Sequence, residues 1–461
     1  MPLREECGIF GVYGDPQAAQ IVYYGLHSLQ HRGQEGAGIV SAEGQRMHLT
    51  KGKGLITEVF PGGGLDNLPG DSAIGHVRYS NGDGSGYENV QPLLFLSGQG
   101  DMALAHNGAL ANAPQMKRLL ETQGSIFQTA SDSELLAHMI RRSLQTHFRD
   151  KVRDALRSLV GGFAFILLTP NEMIAALDKN ALRPLCIGKI GNATVISSES
   201  CAFDIIGATF LRDVNPGEMI VVDREGLHSV QFDIPGKKHL CSMEYIYFSR
   251  PDSVLDGINV HAARKQLGKI IAEESPVEAD MVVGVPDSST SAAIGYAEQS
   301  GIPYEMGLIK NRYVGRTFIQ PSQEMRERGV RMKLSAVSGL VRGKRLIVLD
   351  DSIVRGTTMR RIVQMLREAG AKEVHLRISS PSIKHPCFYG IDMHSYDELV
   401  SANMTTEELC TLLQADSLHF LSIDGMLRAF GKSESHAKCG RCLACFTGEY
   451  PTPVDLHDEV L

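Results

Sequence analysis

The sequence has no uninterrupted apolar run of about 18 residues, which argues against a membrane-spanning helix. It also has no excess of basic residues. The net charge is −7, which argues against a general nucleic-acid binder while leaving room for a local basic cleft. The first six residues, Met-Pro-Leu-Arg-Glu-Glu, are too few and too acidic for a signal peptide, so a cytoplasmic protein is expected. The nine cysteines are an odd number, and three of them crowd into Cys439-Gly-Arg-Cys-Leu-Ala-Cys445. Such tight Cys-x-x-Cys spacing suggests metal or cluster ligands in a reducing compartment, more than structural disulfides. The 461 residues leave room for two or three domains with real cores.

Residues 346–358 read Leu-Ile-Val-Leu-Asp-Asp-Ser-Ile-Val-Arg-Gly-Thr-Thr, and a helical pattern starts at Met359. Leu346, Ile347, Val348 and Leu349 suit a strand buried on both faces. Asp350 and Asp351 then fall at the strand tip, where carboxylates can accept hydrogen bonds from sugar hydroxyls. The loop beyond them offers N–H groups and hydroxyls at a helix N-terminus, a ready anion site. A plain βα turn with surface carboxylates is the alternative. Residues 281–290 repeat the strand-then-polar-loop design, followed by helix from Ser291. Residues 310–333 hold seven Lys or Arg against two Glu, with Gly315, Pro321 and Gly329 as punctuation. They suit either a solvated loop or a cationic lid.

Short strands with a few helices are expected from residue 7 to about 235, an α+β or αββα layer. Strands are expected at 103–106, 164–168, 173–177 and 194–197, and helices at 18–30, 132–145 and 152–159. The second helix opens with Ser131, Asp132, Ser133 and Glu134, good capping chemistry. Pro235, Gly236, Lys237 and Lys238 mark a composition change, placing one domain at 7–235 and a second at 236–461. Two more helices are expected at 402–415 and 417–431.

The acidic-pair motif resembles the phosphoribosyl pyrophosphate (PRPP) signature of type I phosphoribosyltransferases. That resemblance implies ribose contacts for Asp350 and Asp351. It implies 5′-phosphate contacts for Arg355, Gly356, Thr357 and Thr358. Upstream, Cys7-Gly-Ile-Phe-Gly, His31-Arg-Gly-Gln-Glu-Gly-Ala-Gly38, His76-Val-Arg-Tyr-Ser80, His106-Asn-Gly108 and Ser131-Asp-Ser-Glu134 occur in order. Together these segments resemble the N-terminal-nucleophile glutaminase domain of class II amidotransferases. Over residues 7 to about 450 the chain resembles the glutamine PRPP amidotransferase family, in its iron–sulfur branch.

The resemblance implies an αββα glutaminase layer followed by a phosphoribosyltransferase domain with a parallel sheet. It implies that residues 1–6 are a propeptide and that Cys7 is the nucleophile, its freed α-amino group serving as base. Asn107 and the Gly108 N–H would form the oxyanion hole. Arg78 would grip the glutamine carboxylate and Asp132 its ammonium, although a surface ion pair and a helix cap are the plainer roles for these two. His31, His76 and His106 read as structural neighbours. In the second domain Ser288, Asp350 and Asp351 would bind Mg²⁺, with Lys310 and Arg312 on the pyrophosphate. Cys241, Cys387, Cys442 and Cys445 would hold a [4Fe–4S] cluster. Zinc remains a competitor on spacing alone, and Cys439 shares the Cys-x-x-Cys spacing with Cys442. Cys186, Cys201 and Cys410 read as ordinary small core residues.

The implied activity is transfer of glutamine nitrogen to C1 of PRPP, giving 5-phosphoribosylamine, glutamate and pyrophosphate, the first committed step of purine synthesis. Feedback inhibition by purine nucleotides and a homotetramer are further expectations. The rivals are an amidotransferase acting on another sugar phosphate, such as a hexose, and a PRPP-binding regulator without catalysis.

Overall fold

The computed structural model of the chain describes residues 7–79, 86–311, 334–431 and 439–454. The first half builds two antiparallel sheets. One runs, edge to edge, Thr209–Asp213, Cys186–Ile190, Ala193–Ser197, Gly8–Tyr13, Ser72–Arg78, Gly36–Glu43 and Arg46–Lys53. The other runs Gly226–Gln231, Glu218–Asp223, Met173–Leu177, Gly161–Leu168, Met102–Leu110 and Leu93–Phe95.

Side-chain alternation decides how the sheets stack. Ile9, Ile74, Ala103, Ala105, Ala164 and Ile166 meet in one core between the sheets. Phe10, Val12 and Val77, on the opposite face of the first sheet, pack with Val22 and Leu26 of the helix Ala18–Ser28. Leu104, Phe163 and Phe165 pack outward against the helices Ser133–Arg142 and Phe148–Arg157. Helix, sheet, sheet and helix follow in order, the αββα layering expected.

The second half is built on a four-stranded parallel sheet. Its order is Met281–Gly284, Arg345–Asp350, Glu373–Ile378 and Ser417–Phe420. Ile347 and Leu349 face a core formed with the helices Val260–Glu274 and Thr290–Ser300. Leu346 and Val348 face the helices Thr357–Glu368 and Thr406–Leu413. The strand is therefore buried on both faces, as its unbroken apolar run requires. Among the described residues no helix is long and apolar enough to cross a membrane.

Four sequence expectations need correction. The helix expected at 402–415 is broken in two, because Met404 and Thr405 are extended and Thr405 caps a separate helix, Thr406–Leu413, after Val400–Asn403. Residues 417–420 form a strand: they pair in parallel with His375–Ile378, and the following helix Ile423–Ala429 starts one turn later. Ser422 caps that helix by accepting from Gly425 N–H at 2.8 Å, a signal the long helical reading passed over. The helix expected at 132–145 spans only Ser133–Arg142, and Asp132 makes no side-chain cap bond. The helix expected at 152–159 starts four residues earlier, at Phe148, and ends at Arg157. Residues 1–6 and most of the basic stretch, Arg312 included, lie outside the described residues.

Candidate active site

Cys7 directly precedes the strand Gly8–Tyr13, whose partner strand ends at Arg78. The register Gly8↔Val77 brings Cys7 beside Arg78 and Tyr79, and Cys7 Sγ donates to the Tyr79 carbonyl at 3.6 Å. Arg32 Nε donates to the Cys7 carbonyl at 3.1 Å and fixes the main chain there. Burial pushes the Cys7 thiol up, against the pull of Arg78 and Arg32. The resting group is a thiol, so a base is needed to activate it.

Facing it across the sandwich is the strand Met102–Leu110. Asn107 shares the parity of Ala103 and Ala105, which point into the space between the sheets. Ile9, two residues beyond Cys7, points into the same space. Asn107 is fully buried, and neither atom of its amide has a hydrogen-bond partner among the described residues. An unpaired buried amide is costly, so its retention here points to a ligand. Gly108 has φ +129°, and a Cβ there would lie 2.0 Å from the Gly162 carbonyl oxygen.

Asp132 turns away from its helix. Its carboxylate accepts from Leu110 N–H at 2.8 Å, three residues from Asn107, and lies 3.4 Å from His106 Nδ1. Burial opposes its ionisation, yet His106 and the backbone donors hold it below the usual carboxylate range. The Arg78 guanidinium donates to the Asn89 carbonyl, and Asp132 is among the carboxylates whose charge reaches it. A fixed anion and a fixed cation near one thiol suit an amino acid carrying both charges. His76 is no base: burial, with Arg78 nearby, holds it down to about 3, and its Nε2 bonds the His106 carbonyl at 3.1 Å. His106 stacks on Phe165 at 4.1 Å and bonds Ser133 Oγ at 3.0 Å. His31 Nε2 bonds Glu199 at 2.7 Å.

At the carboxyl ends of the parallel strands lies a cavity of about 510 Å³, within the range of small-ligand pockets. Ser288, Lys310, Asp350, Asp351, Arg355, Gly356 and Thr358 line it together. Thr357 opens the adjoining helix. Ser288 Oγ donates to Asp351 at 2.5 Å, and Ser289 Oγ to Asp350 at 3.0 Å. Burial raises both carboxyl groups, and the charge of Asp351 raises Asp350 further. Two buried carboxyls and a hydroxyl are a hard-oxygen set that a divalent cation would let ionise. Lys310 rests on Asp287 at 2.9 Å, and Arg355 pairs with Glu398. These two cations keep protein partners that an anion would have to displace.

Cys241 and Cys442 sit opposite each other where Leu240–Cys241 pairs in parallel with Arg441–Cys442. Lys384 and His385 N–H groups donate to the Cys445 carbonyl at 2.9 and 3.1 Å, drawing in the segment that carries Cys387. All nine cysteines are free thiols, and these four are buried. Burial raises Cys241 and Cys445 and pushes Cys442 up to about 12, with Cys387 close enough to add to each. Among the described residues no three of these sulfurs fall within 4.8 Å of one another. Tetrahedral zinc would draw them to about 3.8 Å, from its Zn–S bond length. Cys439 Sγ turns to the Arg441 carbonyl at 3.6 Å.

Sequence reasoning missed several participants. Arg32, Glu199 and Glu244 form a buried charge network, and Phe248, Arg250 and Arg264 line the cavity. Arg32 lies inside a quoted motif, but nothing in residue order marks Glu199 or Glu244 as buried.

Residues 77–204 match the glutamine amidotransferase domain family, and residues 252–380 the phosphoribosyl transferase domain family. A thiol glutaminase joined to a phosphoribosyltransferase is a glutamine-dependent transferase. The chain is 62% identical to the amidophosphoribosyltransferase of Bacillus subtilis (strain 168) over 460 residues, covering 100% of this chain and 96% of that one. It is 50% identical to the Staphylococcus aureus (strain MRSA252) amidophosphoribosyltransferase over 451 residues, covering 97% and 91%. The solved structure of glutamine PRPP amidotransferase from B. subtilis complexed with ADP and GMP superposes with a TM-score of 0.93 at 61% identity, covering 99% of each chain. The chain belongs to the amidophosphoribosyltransferase family. It is a transferase of purine biosynthesis that joins a glutamine amidotransferase domain to a PRPP transferase domain.

The close approach at Gly108 generates a prediction. Gly108→Ala meets both a backbone clash and a disfavoured φ. If the Gly108 N–H is the oxyanion donor that the family resemblance implies, glutamine-dependent activity should fall by about 100-fold or more. Steady-state assays with glutamine, and with ammonia as the control, read the effect. An alanine variant with normal glutamine turnover would remove Gly108 from the site.

Proposed function

We propose that glutamine is hydrolysed at Cys7 and that the ammonia reaches PRPP inside the protein. One observation carries this reading. The cavity bearing Asp350 and Asp351 is also lined by His31, and the next residue, Arg32, holds the Cys7 carbonyl. Both reaction centres therefore touch one segment, which supports direct handover.

In the glutaminase half the Cys7 α-amino group, freed of residues 1–6, takes the thiol proton. Sγ attacks the glutamine amide carbon. Asn107 and the Gly108 N–H receive the oxyanion, while Arg78 and Asp132 hold the substrate's carboxylate and ammonium. Collapse releases ammonia and leaves a thioester, and water then frees glutamate. In the second half ammonia attacks C1 of PRPP, pyrophosphate leaves, and 5-phosphoribosylamine forms. Asp350 and Asp351 orient the ribose. Gly356, Thr357 and Thr358 receive the 5′-phosphate at a helix N-terminus, with Arg355 beside it. Lys310 and Arg312 would meet the pyrophosphate. Ser288, Asp350 and Asp351 would hold Mg²⁺, which neutralises leaving-group charge. Positioning and charge stabilisation are the main catalytic effects in this half.

Cys241, Cys387, Cys442 and Cys445 would hold a [4Fe–4S] cluster as a staple between distant segments; the net reaction moves no electrons. The domain boundary falls near residue 235, supported by the last strand of the two large antiparallel sheets ending at Gln231. Purine nucleotides are proposed as inhibitors, supported by the ADP and GMP in the B. subtilis structure. A cytoplasmic homotetramer completes the proposal.

Three experiments test these assignments. Cys7→Ser should abolish glutamine-dependent activity and spare ammonia-dependent use of PRPP, with intact-mass analysis of the parent showing Cys7 as the first residue. Retention of residues 1–6 in active enzyme would eliminate the free-amine base. Asp350→Asn and Asp351→Asn should weaken PRPP use by about tenfold or more with either nitrogen source, because an amide adds donors and removes charge. Unchanged PRPP kinetics in both would refute the ribose and metal assignment. Cys442→Ser should lower iron, sulfide and thermal stability together, and Cys439→Ser should not. Stoichiometric zinc without sulfide would replace the cluster reading.

A further inference from the structure

Leu182 and Arg183 come from the antiparallel half of the molecule, yet both reach the cysteine site. The Leu182 carbonyl accepts from Cys241 N–H at 3.2 Å. The Arg183 guanidinium donates to the Tyr389 carbonyl at 2.5 Å, and Tyr389 N–H donates to Cys387 Sγ at 3.4 Å. Two consecutive residues thus touch the segments carrying both remote cysteines. Arg183 is only 1% exposed.

Four thiolates around an iron–sulfide core of smaller positive charge leave a buried net anion. A buried anion requires a fixed cation nearby. On its other side Arg183 Nη1 lies 3.8 Å from Glu244 Oε1. Glu244 accepts from Arg32 at 2.8 and 2.9 Å, and Arg32 donates to the Cys7 carbonyl. The chain of contacts runs from the cysteines to the nucleophile's main chain, entirely through buried groups.

We infer that Arg183 is a positioning residue: it neutralises the thiolates of the cluster site and ties that site, through Glu244 and Arg32, to the Cys7 backbone. The inference rests on the cluster reading above. It gives the staple a consequence for the glutaminase that a merely local metal site would lack. Loss of the anion changes the balance of charge on Arg183, and its neighbour Glu244 is also the group that holds Arg32.

The test uses the full chain purified without oxygen, comparing the parent with Arg183→Gln and Arg183→Lys. Gln keeps a donor for Tyr389 without the charge; Lys keeps the charge. Iron and sulfide content, the rate of visible bleaching in air, and the ratio of glutamine- to ammonia-dependent turnover are measured. The Gln variant should bleach about tenfold faster than the parent and lose about tenfold in that ratio, with Lys restoring both to within about threefold. A Gln variant matching the parent in bleaching and ratio would overturn the inference while leaving the cluster in place. A parent without iron and sulfide would overturn the cluster reading and this inference together. Should the Gln chain not accumulate, Lys decides: bleaching within about threefold of the parent supports the charge role, and bleaching about tenfold faster rejects it.

Discussion

The arrangement of both sites depends on one buried cation. Arg32 is 1% exposed and lies between two fully buried carboxylates, Glu199 at 2.7 Å and Glu244 at 2.8 Å. Removing it would take a shared counter-charge from both buried carboxylates, a loss of about 3–5 kcal/mol for a broken buried pair. The same carboxylates organise the rest of the junction. Glu199 also accepts from His31 at 2.7 Å, Ser253 Oγ at 2.6 Å and Arg250 N–H at 2.9 Å. Glu244 accepts from Ser249 Oγ at 2.6 Å. Residues from positions 31, 199 and 244–253 are thereby locked together. Such a network is a poor source of net stability against a well-packed apolar core, but it has directional bonds. It fixes which backbone carbonyl Arg32 can still reach, and that carbonyl belongs to Cys7.

Much of the scaffold was legible because its signals are local. The apolar run at 346–349 forms a doubly buried strand, and the strand Met173–Leu177 has the bounds its composition suggests. The acidic tip and the polar loop after it do line one cavity. The misreadings share one cause. Residues 417–420 hold too few residues to show a period, and pairing with a neighbouring strand decided them. Asp132 has the chemistry of a helix cap, but Leu110 N–H and His106 compete for its carboxylate and win.

Buried charge was the part that residue order did not reveal. Glu199 and Glu244 look like any surface glutamate until partners separated by more than 160 positions are brought to them. The cysteines lie between these extremes. The pair Cys442 and Cys445 announces itself by spacing, whereas Cys241 becomes a neighbour only through the two-residue parallel ladder with Arg441–Cys442. Cys439 has the right spacing, yet its sulfur turns to a backbone carbonyl. Spacing along the chain proposes ligands; the direction of each Cα–Cβ bond selects among them.

His31 and Arg32 are consecutive residues with different assignments. His31 borders the cavity at the acidic strand tip, and Arg32 holds the Cys7 carbonyl, while both bond the same Oε1 of Glu199. A displacement of His31 from the cavity side cannot leave Glu199 unchanged, because one oxygen serves both donors. A displacement of Glu199 in turn alters the angle at which Arg32 meets Cys7. Close packing around these groups leaves little slack to absorb such a shift. The physical path between the two chemistries is therefore short: the half-buried His31, its buried neighbour Arg32 and one fully buried carboxylate oxygen, where screening by water is weak.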